Sequence, residues 1–490
     1  MPKKPIILTT GWGHPVDDNQ NSETAGRKGP ILLEDSHLID KLASFGRERI
    51  PERPVHARGA GAYGFFEVTN DVTKYCKAKF LEKLGKKTPV FARFSTSSGE
   101  RGSAETERDL RGFSIKFYTE EGNWDFVGNS SPIFGIRKPV YFPEWQHIHK
   151  KDPSTNCKNY DMFWDFLSLV HESVHHLTYI FGPRGIPDGY RHMNGYGTNT
   201  YKWVNSKGED FFVKFHFHTE IGTKNLSSKE AEKIMGEDPD YATRDLFNYI
   251  SQGKEAIWKF SVQVIPFEEG LHYKWDIYDD TKVWPHSDYP LIEVGRVVLN
   301  RNPTNYFFEV EQSAFSPANM VPGIEASNDR MLQARIFSYS DAQRYRLGGN
   351  FGSIPINFPH MARVHNYMRD GMMSITKNGG KDVSYEPNTV NDTPKEDNEY
   401  KMKEFKVQGE AMVHRLRYAT SDFEQPGILY RRVFKGIEKD ELITNLYESM
   451  KNVTKRHILE KECEYFYNCD PEYGTKISQA LRLPVHQSKL

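Results

Sequence analysis

Four polar residues in the segment Met331–Leu347 have the spacing expected for one face of a helix. They are Arg335, Tyr339, Gln343 and Arg346, at positions i, i+4, i+8 and i+11. A phenol ionises with a pKa of about 10 in water, so it needs nearby positive charge to be an anion at neutral pH. Arg335 can supply that charge to Tyr339, and so can a ferric ion bonded to the phenolate oxygen. An ordinary helix with surface arginines and a half-buried tyrosine gives the same pattern, so both interpretations remain open.

A second candidate for chemistry is His56, which precedes a run of small residues at 57–62. A strand rarely carries so many Gly and Ala residues unless something flat approaches its backbone closely. A neutral imidazole at that place could accept and return a proton. A core histidine with one ordinary hydrogen bond would give the same sequence, and these residues alone do not decide between the two.

Asn129 and Arg93 are weaker candidates. Asn129 stands in the segment Phe126–Pro132, where it can be a turn residue or a hydrogen-bonding group for a ligand. Arg93 places a charge inside the predicted strand Val90–Ser95 and needs a carboxylate partner. That partner can be a protein carboxylate or a carboxylate on a bound ligand.

The elements that would position these residues are mostly short strands between about Val55 and Leu299. The clearest predicted strands are Val90–Ser95, Phe113–Tyr118 and Phe211–Phe217, with a hairpin turn at Ser206–Gly208 before the last. Many short strands separated by turn residues predict a closed antiparallel β-barrel. Helical insertions are expected near Asp161–Val170 and Ala242–Ile250.

The fold class predicted is α+β, with four parts along the chain. Residues 1–54 form an N-terminal arm with a short helix at Leu38–Phe45, and residues 55–300 form the barrel domain. Residues 301–418 form a long wrapping segment that carries the helix Met331–Leu347, closed by Gly348 and Gly349, and an exposed loop at Thr376–Tyr400. Residues 419–490 form a C-terminal helical domain, with helices at Asp440–Met450, His457–Tyr467 and Gly474–Leu481.

The overall composition excludes several classes of protein. The chain has 65 basic and 66 acidic residues and a formal net charge of −1, which argues against nucleic acid or an anionic membrane as a partner. No stretch approaches the roughly 20 apolar residues that span a bilayer. The four cysteines form neither a CxxC pair nor a CxxCH haem-attachment motif. The last residues, Ser488, Lys489 and Leu490, match a peroxisomal address and predict a peroxisomal import receptor as partner.

Two long segments together resemble the signatures of the haem catalase family. Residues 49–62 (RIPERPVHARGAGA) resemble its distal signature, and residues 335–339 (RIFSY) resemble its haem-ligand signature. Residues 108–113, 191–197 and 283–286 resemble further family segments in the same order. The resemblance, to the monofunctional, small-subunit and peroxisomal type, implies disproportionation of hydrogen peroxide to water and dioxygen through an oxyferryl haem intermediate. It also implies an iron protoporphyrin of the b type, a haem domain at 55–300 and a homotetramer.

The resemblance assigns roles to the residues around the haem. His56 would move the peroxide proton, Asn129 would hold the peroxide by hydrogen bonding, and Tyr339 would bind the iron as a phenolate. Ser95 would orient the His56 ring, while Phe134 and Phe142 would narrow the access to the haem. The remaining haem contacts implied are Arg53, Val55, Arg93, Arg335, Gln343 and Arg346, of which Arg53, Arg93 and Arg346 would pair with the propionates.

The resemblance also implies a bound NADPH, although several positions depart from the family pattern. The dinucleotide contacts would be His175, Tyr179, Arg184, Asn194, Tyr196, Trp284 and His286. His218 and Gly182 stand where a Lys and a Ser are expected, which weakens the phosphate contacts. Near the haem, Gln343 and Asn199 replace histidines, and Gly135 replaces a phenylalanine.

Two alternatives remain open. Catalase-fold proteins that rearrange fatty-acid hydroperoxides keep the same Tyr, His and Asn, and the small residue at Gly135 would suit their wider pocket. A non-enzymatic β-barrel protein would use His56 and Tyr339 only as core residues. Oxygen evolution from hydrogen peroxide discriminates the first alternative, and a haem absorption band discriminates the second.

Overall fold

The structure is a computed structural model that describes residues 6–366, 368–377, 379–391, 394–402, 409–415 and 421–485. The chain divides into two units, Met1–Glu52 and Arg53–Leu490. The first unit contains one helix, α1 (Ser36–Phe45), which begins two residues before its predicted start. It starts there because the Asp35 side chain accepts the Leu38 backbone N–H at 3.0 Å and so caps the first turn.

The second unit is built on an antiparallel sheet. Its strands are β1 (Gly59–Val68), β2 (Lys87–Thr96), β3 (Arg111–Thr119), β4 (Gly122–Asn129), β5 (Gly195–Tyr196), β6 (Tyr201–Val204), β7 (Asp210–Thr219), β8 (Ala256–Pro266), β9 (Ile292–Arg301) and β10 (Ile324–Ala326). β1 to β4 pair in sequence, β5 and β6 both lie along one edge of β7, and β8 pairs with β7 and β9. The pairing of β9 with β1 closes the barrel, as predicted.

The two faces of the barrel wall carry different kinds of residue. On β2, Val90, Ala92 and Phe94 point into the aromatic-rich interior, together with Phe113 and Phe117 of β3 and many other rings. Because side chains alternate along a strand, Arg93 and Ser95 lie on the outer face. The candidate polar residues of the barrel wall therefore lie outside the barrel core, where a ligand can reach them.

The helices of the second unit are α2 (Phe142–Ile148), α3 (Tyr160–Leu169), α4 (Val174–Phe181), α5 (Ser228–Glu237), α6 (Tyr241–Ser251), α7 (Phe267–Gly270), α8 (Arg330–Leu347), α9 (Glu424–Ile428), α10 (Ile437–Met450), α11 (Arg456–Cys469) and α12 (Pro471–Ala480). The predictions that correspond to α3, α6, α8 and α10–α12 are confirmed. α2, α3 and α4 share one hydrophobic core with α10–α12. None of the described helices is long and apolar enough to cross a membrane.

The segment around α8 is largely irregular, as predicted. α8 begins at its N-cap Asp329 and ends at Gly348, whose φ of 94° suits glycine. Upstream, Phe307–Glu311 forms a π-helical turn, and the described part of Thr376–Tyr400 is mostly exposed, with one 3₁₀ turn at Asn398–Tyr400. The proposed division at residue 418 remains a prediction.

Candidate active site

One row of paired residues across the barrel wall brings the candidates His56, Ser95 and Asn129 together. Ser95 of β2, Gly112 of β3 and Asn129 of β4 are direct partners in the strand register. Side chains of directly paired residues share a face of the sheet. A Cβ on Gly112 would lie 2.4 Å from Ser95 Oγ and 2.7 Å from His56 Nδ1, so the imidazole lies over this glycine. The absence of a side chain at Gly112 is therefore what admits His56 to the row.

The backbone and ring of His56 are both held. Its φ is 63°, a left-handed conformation that costs a non-glycine residue roughly 1–3 kcal/mol and that clusters at functional sites. Its N–H donates to the Ser97 carbonyl at 3.0 Å, and its Nδ1 hydrogen-bonds with Ser95 Oγ at 3.0 Å. Nε2 is then the ring nitrogen that can face a ligand.

The charge state of His56 follows from its surroundings. Burial, followed by repulsion from Arg93, Arg335 and Arg53, lowers the pKa of His56 to about 3. The ring is therefore neutral at physiological pH, and a neutral imidazole can accept a proton.

On α8, Arg335 links Tyr339 to the barrel wall. Arg335 Nη2 donates to Tyr339 Oη at 3.2 Å and to the Val127 carbonyl at 2.8 Å. Val127 lies two residues before Asn129 on β4. One strand therefore carries Asn129 and also binds the arginine that contacts Tyr339. The Tyr339 ring is half-buried and packs against the cluster that includes Phe91 and Val127.

Behind Arg335 lies a buried polar chain that begins with Asn199. Arg335 Nη1 donates to Asn199 Oδ1, and Asn199 Nδ2 donates to Asp280 at 3.1 Å and to Asp329 at 3.0 Å. Burial, and then repulsion from Asp329, raises the pKa of Asp280 well above its usual range.

Three buried arginines, Arg53, Arg93 and Arg346, form a positively charged group. Burial and then repulsion from Arg93 and Arg346 lowers the pKa of Arg53. Arg346 Nη2 donates to the Gln343 side chain at 2.7 Å, and Arg53 lies 3.6 Å from Glu311. Among the described residues, buried Arg93 Nε and Arg53 Nη1 have no hydrogen-bond partner. Buried guanidinium nitrogens that lack a hydrogen-bond partner fit a haem, whose two propionates would satisfy them.

Aromatic rings lie beside the predicted access to the haem. The Phe134 and Phe142 rings are stacked with centroids 6.5 Å apart, and Phe134 lies 5.6 Å from the Trp145 ring. A Cβ on Gly135 would lie only 2.0 Å from Trp145 Cη2. The indole ring of Trp145 therefore lies where a side chain at position 135 would begin. Val55, which precedes His56, is half-buried.

The residues expected to contact NADPH fall into two neighbouring groups. In the first, His175 Nδ1 donates to the Thr281 carbonyl at 2.9 Å, and Arg184 lies 5.8 Å from the Tyr179 ring centroid. A Cβ on Gly182 would lie 2.6 Å from Phe434 Cζ, so packing against Phe434 requires the glycine.

The second NADPH group surrounds Tyr196. Asn194 Nδ2 donates to Tyr196 Oη at 2.9 Å, and the Tyr196 ring lies 5.8 Å from that of His218. His286 is exposed nearby, but Trp284 is buried, with its Nε1 unpaired among the described residues. Trp284 therefore offers a ligand little side-chain surface.

Three residues of the site were not identified from sequence. Gly112 carries a weak signal, since a glycine inside a strand often marks a close approach. Asp280 carries none, because its place depends on a contact with Asn199, 81 residues earlier in the chain. Trp145 carries none, because its packing against Gly135 follows no sequence period.

Comparison with known proteins gives the family. The catalase family profile matches residues 9–392, and the catalase-related immune-responsive profile matches residues 418–481. The chain belongs to the catalase family. It is 54% identical over 481 residues to the peroxisomal catalase of Toxoplasma gondii, covering 98% of this chain and 96% of that one. It is 50% identical over 481 residues to the catalase of Rattus norvegicus, covering 98% and 90%.

Solved catalase structures share the fold. A fungal catalase superposes with a TM-score of 0.93 at 41% identity, covering 97% of this chain and 96% of that one. Catalase A from Saccharomyces cerevisiae gives a TM-score of 0.94 at 39% identity, covering 97% and 99%. The predicted fold class and enzyme class are confirmed: the protein is a catalase that decomposes hydrogen peroxide to water and dioxygen, and the family implies a haem cofactor.

Proposed function

We propose that His56, Asn129 and Tyr339 form the reaction centre of this catalase and that Tyr339 would hold its haem. The observation that carries the proposal is the convergence of His56 and Asn129 on the row through Gly112, with Arg335 of α8 bonded to the same strand, β4. The iron of the haem would supply the two-electron redox chemistry.

His56 acts as the proton carrier. Its neutral ring accepts a peroxide proton at Nε2, which requires the tautomer in which Nδ1–H donates to Ser95 Oγ. The same nitrogen returns the proton to the departing oxygen, as general acid–base catalysis requires. The Asn129 amide hydrogen-bonds the peroxide and keeps it within reach of the imidazole.

Tyr339 and the buried arginines hold the haem. The Tyr339 oxygen would bind the iron as a phenolate, which the charge of Arg335 at 3.2 Å stabilises. Arg53, Arg93 and Arg346 would pair with the propionates. A b-type haem is supported because the sequence has no CxxCH motif for covalent attachment.

Two variants test these roles separately. Tyr339→Phe removes the oxygen ligand, so we expect the Soret absorption of the purified protein to be lost or greatly weakened. His56→Ala removes only the proton carrier, so haem should remain while oxygen evolution falls by about a hundredfold or more. The matched controls are Tyr345→Phe, whose ring is 79% exposed on the same helix, and the exposed His457→Ala. Full oxygen evolution by His56→Ala would remove His56 from its role.

We propose that NADPH binds at the two groups around Tyr179 and Tyr196. The support is the cation of Arg184 beside Tyr179 and the exposed imidazole of His286 near His218. These groups can bind the phosphates, although His218 supplies less charge than a lysine would. Titration of the purified protein with NADPH, followed by its fluorescence, tests this. A protein that binds no NADPH at about millimolar concentration contradicts the proposal.

We propose further that the protein is a peroxisomal homotetramer. The Toxoplasma relative is a peroxisomal catalase, and this chain carries the tripeptide Ser488–Leu490, which together support the location and the import receptor. The tripeptide lies outside the described residues. Exposed apolar side chains such as Phe337 and Met372 support the association of copies through the 1–54 arm and the 301–418 segment. Sedimentation velocity tests the homotetramer. The cellular location of a chain that lacks Ser488–Leu490 tests the peroxisomal import.

A further inference from the structure

Trp145 packs against the backbone of Gly135, next to the ring of Phe134. Its indole ring covers the backbone of Gly135, because a Cβ on that glycine would lie 2.0, 2.5 and 2.6 Å from three of its ring atoms. Gly135 directly follows Phe134, whose ring centroid lies 5.6 Å from that of Trp145. The glycine and the tryptophan are therefore complementary: the missing side chain at 135 makes room for the indole.

The same ring lines a cavity of about 1020 Å³. Its lining includes Trp145, His149 and Asp109, together with Ser97 and Leu110. The Ser97 carbonyl accepts the His56 N–H at 3.0 Å, and the Ser97 N–H donates to the Leu110 carbonyl at 2.9 Å. The cavity is thus bounded by the same backbone that holds His56, and Trp145 is part of its wall.

The indole ring is firmly held in that wall. Trp145 is only 4% exposed, and its carbonyl accepts His149 Nδ1 at 2.7 Å. The His149 and His176 rings lie 4.9 Å and 5.3 Å from it, the second nearly perpendicular. Rings packed against several neighbours leave little freedom for the indole to swing aside.

We propose that Trp145 is a specificity-determining residue that limits the peroxides reaching His56 to hydrogen peroxide and excludes alkyl hydroperoxides. The inference rests on the proposed role of His56. A rigid ring in the wall rejects a substrate by its size, whereas hydrogen peroxide, with only two heavy atoms, still passes. The small residue at Gly135 therefore does not widen the pocket for a bulky hydroperoxide.

The kinetic test compares two peroxides in the haem-loaded protein. Hydrogen peroxide is followed by oxygen evolution. tert-Butyl hydroperoxide is given with ethanol as the two-electron reductant, and the reaction yields tert-butanol, acetaldehyde and water. Trp145→Phe should raise kcat/KM for the alkyl hydroperoxide, relative to hydrogen peroxide, by about tenfold or more. The control is Trp164→Phe, the same change at a fully buried tryptophan of the same core that does not line the cavity.

A thermal measurement tests the packing independently of activity. Gly135→Ala should lower Tm because its Cβ meets the indole, and the double variant Gly135→Ala/Trp145→Phe should lower Tm by less than the sum of the two single changes. Additive Tm changes, or an equal peroxide ratio for Trp145→Phe and Trp164→Phe, overturn the inference. Full oxygen evolution by His56→Ala contradicts the proposed role of His56 instead, so the two failures are distinguishable.

Discussion

At the scale of single residues, the surroundings of His56 determine where its ring lies and how its backbone is held. The ring has one bonded nitrogen, at Ser95, and a strained backbone that the Ser97 carbonyl holds in place. Strain of this kind persists only where neighbouring contacts impose it. A substitution at Gly112 would displace the ring, because even a methyl group would overlap Nδ1. The site is therefore preorganised before any ligand binds.

The lowered pKa of His56 predicts an unusual pH profile. A pKa of about 3 means that the basic form is present above that value and is lost only as the pH falls through it. We expect the initial rate of oxygen evolution to be flat from roughly pH 5 to pH 9, since the base stays neutral throughout. The haem absorption, recorded at each pH, separates loss of the cofactor from protonation. A rate that falls with a midpoint near 6.5, the value of a free histidine, would contradict the assignment.

Most residues of the site could be named from the sequence, but their roles could not be derived from it. Tyr339 and Arg335 could be placed on one helix face from spacing alone, and the structure confirms their contact. His56 could not be placed beside Asn129, because this depends on the register of three strands. Only the family resemblance supplied that relation beforehand.

At the scale of elements, end signals made some helices predictable, and the lack of an exposed face hid another. α8 has an N-cap, Asp329, and a terminal Gly348, and its predicted and observed limits agree within one residue. α5 has a capping box at Ser227 and Glu230 that would have revealed it. α4 was missed because all eight of its residues are buried, so it shows no polar face.

A buried carboxyl on α11 predicts a pH-dependent stability. Glu462 is fully buried, and neither of its carboxylate oxygens has a hydrogen-bond partner among the described residues. Burial raises the pKa of Glu462 from 4.5 to about 8. The folded protein therefore holds a proton that the unfolded chain releases, so stability is full below about 4.5 and is lost as the pH rises to about 8.

The variant Glu462→Gln should remove this dependence. Its amide is uncharged, so at pH 8.5 the variant should be more stable than the wild type, by on the order of a few kcal/mol. Below pH 4.5 the difference should be smallest. Urea unfolding followed by helical circular dichroism measures it. Glu460→Gln, on the exposed side of the same helix, is the control. The same pH dependence of stability in both variants would contradict the role of Glu462.

At the scale of the whole second unit, buried ion pairs join segments far apart in the chain. Asp422 accepts from Arg137 Nη1 and Nη2 at 2.7 Å each and from Lys282 Nζ at 2.7 Å. Arg137 also donates to Asp279 at 2.9 Å. The network connects the segment after β4, the segment after β8 and the C-terminal helices. No periodicity in the sequence could reveal it, since the partners are more than 100 residues apart.

On balance, the surroundings of Asp422 favour its ionised form. Burial opposes it, but bonds from His171 and Arg137 outweigh that effect and hold the pKa of Asp422 well below its usual range. A lowered carboxyl pKa contributes stability that is present above the unfolded value of 3.8 and is lost as the pH falls below it. Asp422 is therefore ionised throughout the neutral range and compensates two buried cations.

Removing that charge should destabilise the unit strongly. Asp422→Asn leaves Arg137 and Lys282 buried with less compensation, and we expect a loss of about 3–5 kcal/mol at pH 7. The difference from the wild type should shrink as the pH falls below about 4, because the unfolded chain then binds a proton at Asp422 that the folded protein does not. Unfolding in urea at pH 7 and pH 3.5 measures both values. Asp440→Asn, which breaks an exposed ion pair with Lys476, should change stability by less than about 1 kcal/mol. If the two variants behave alike at pH 7, the buried network does not join the barrel and the C-terminal helices energetically.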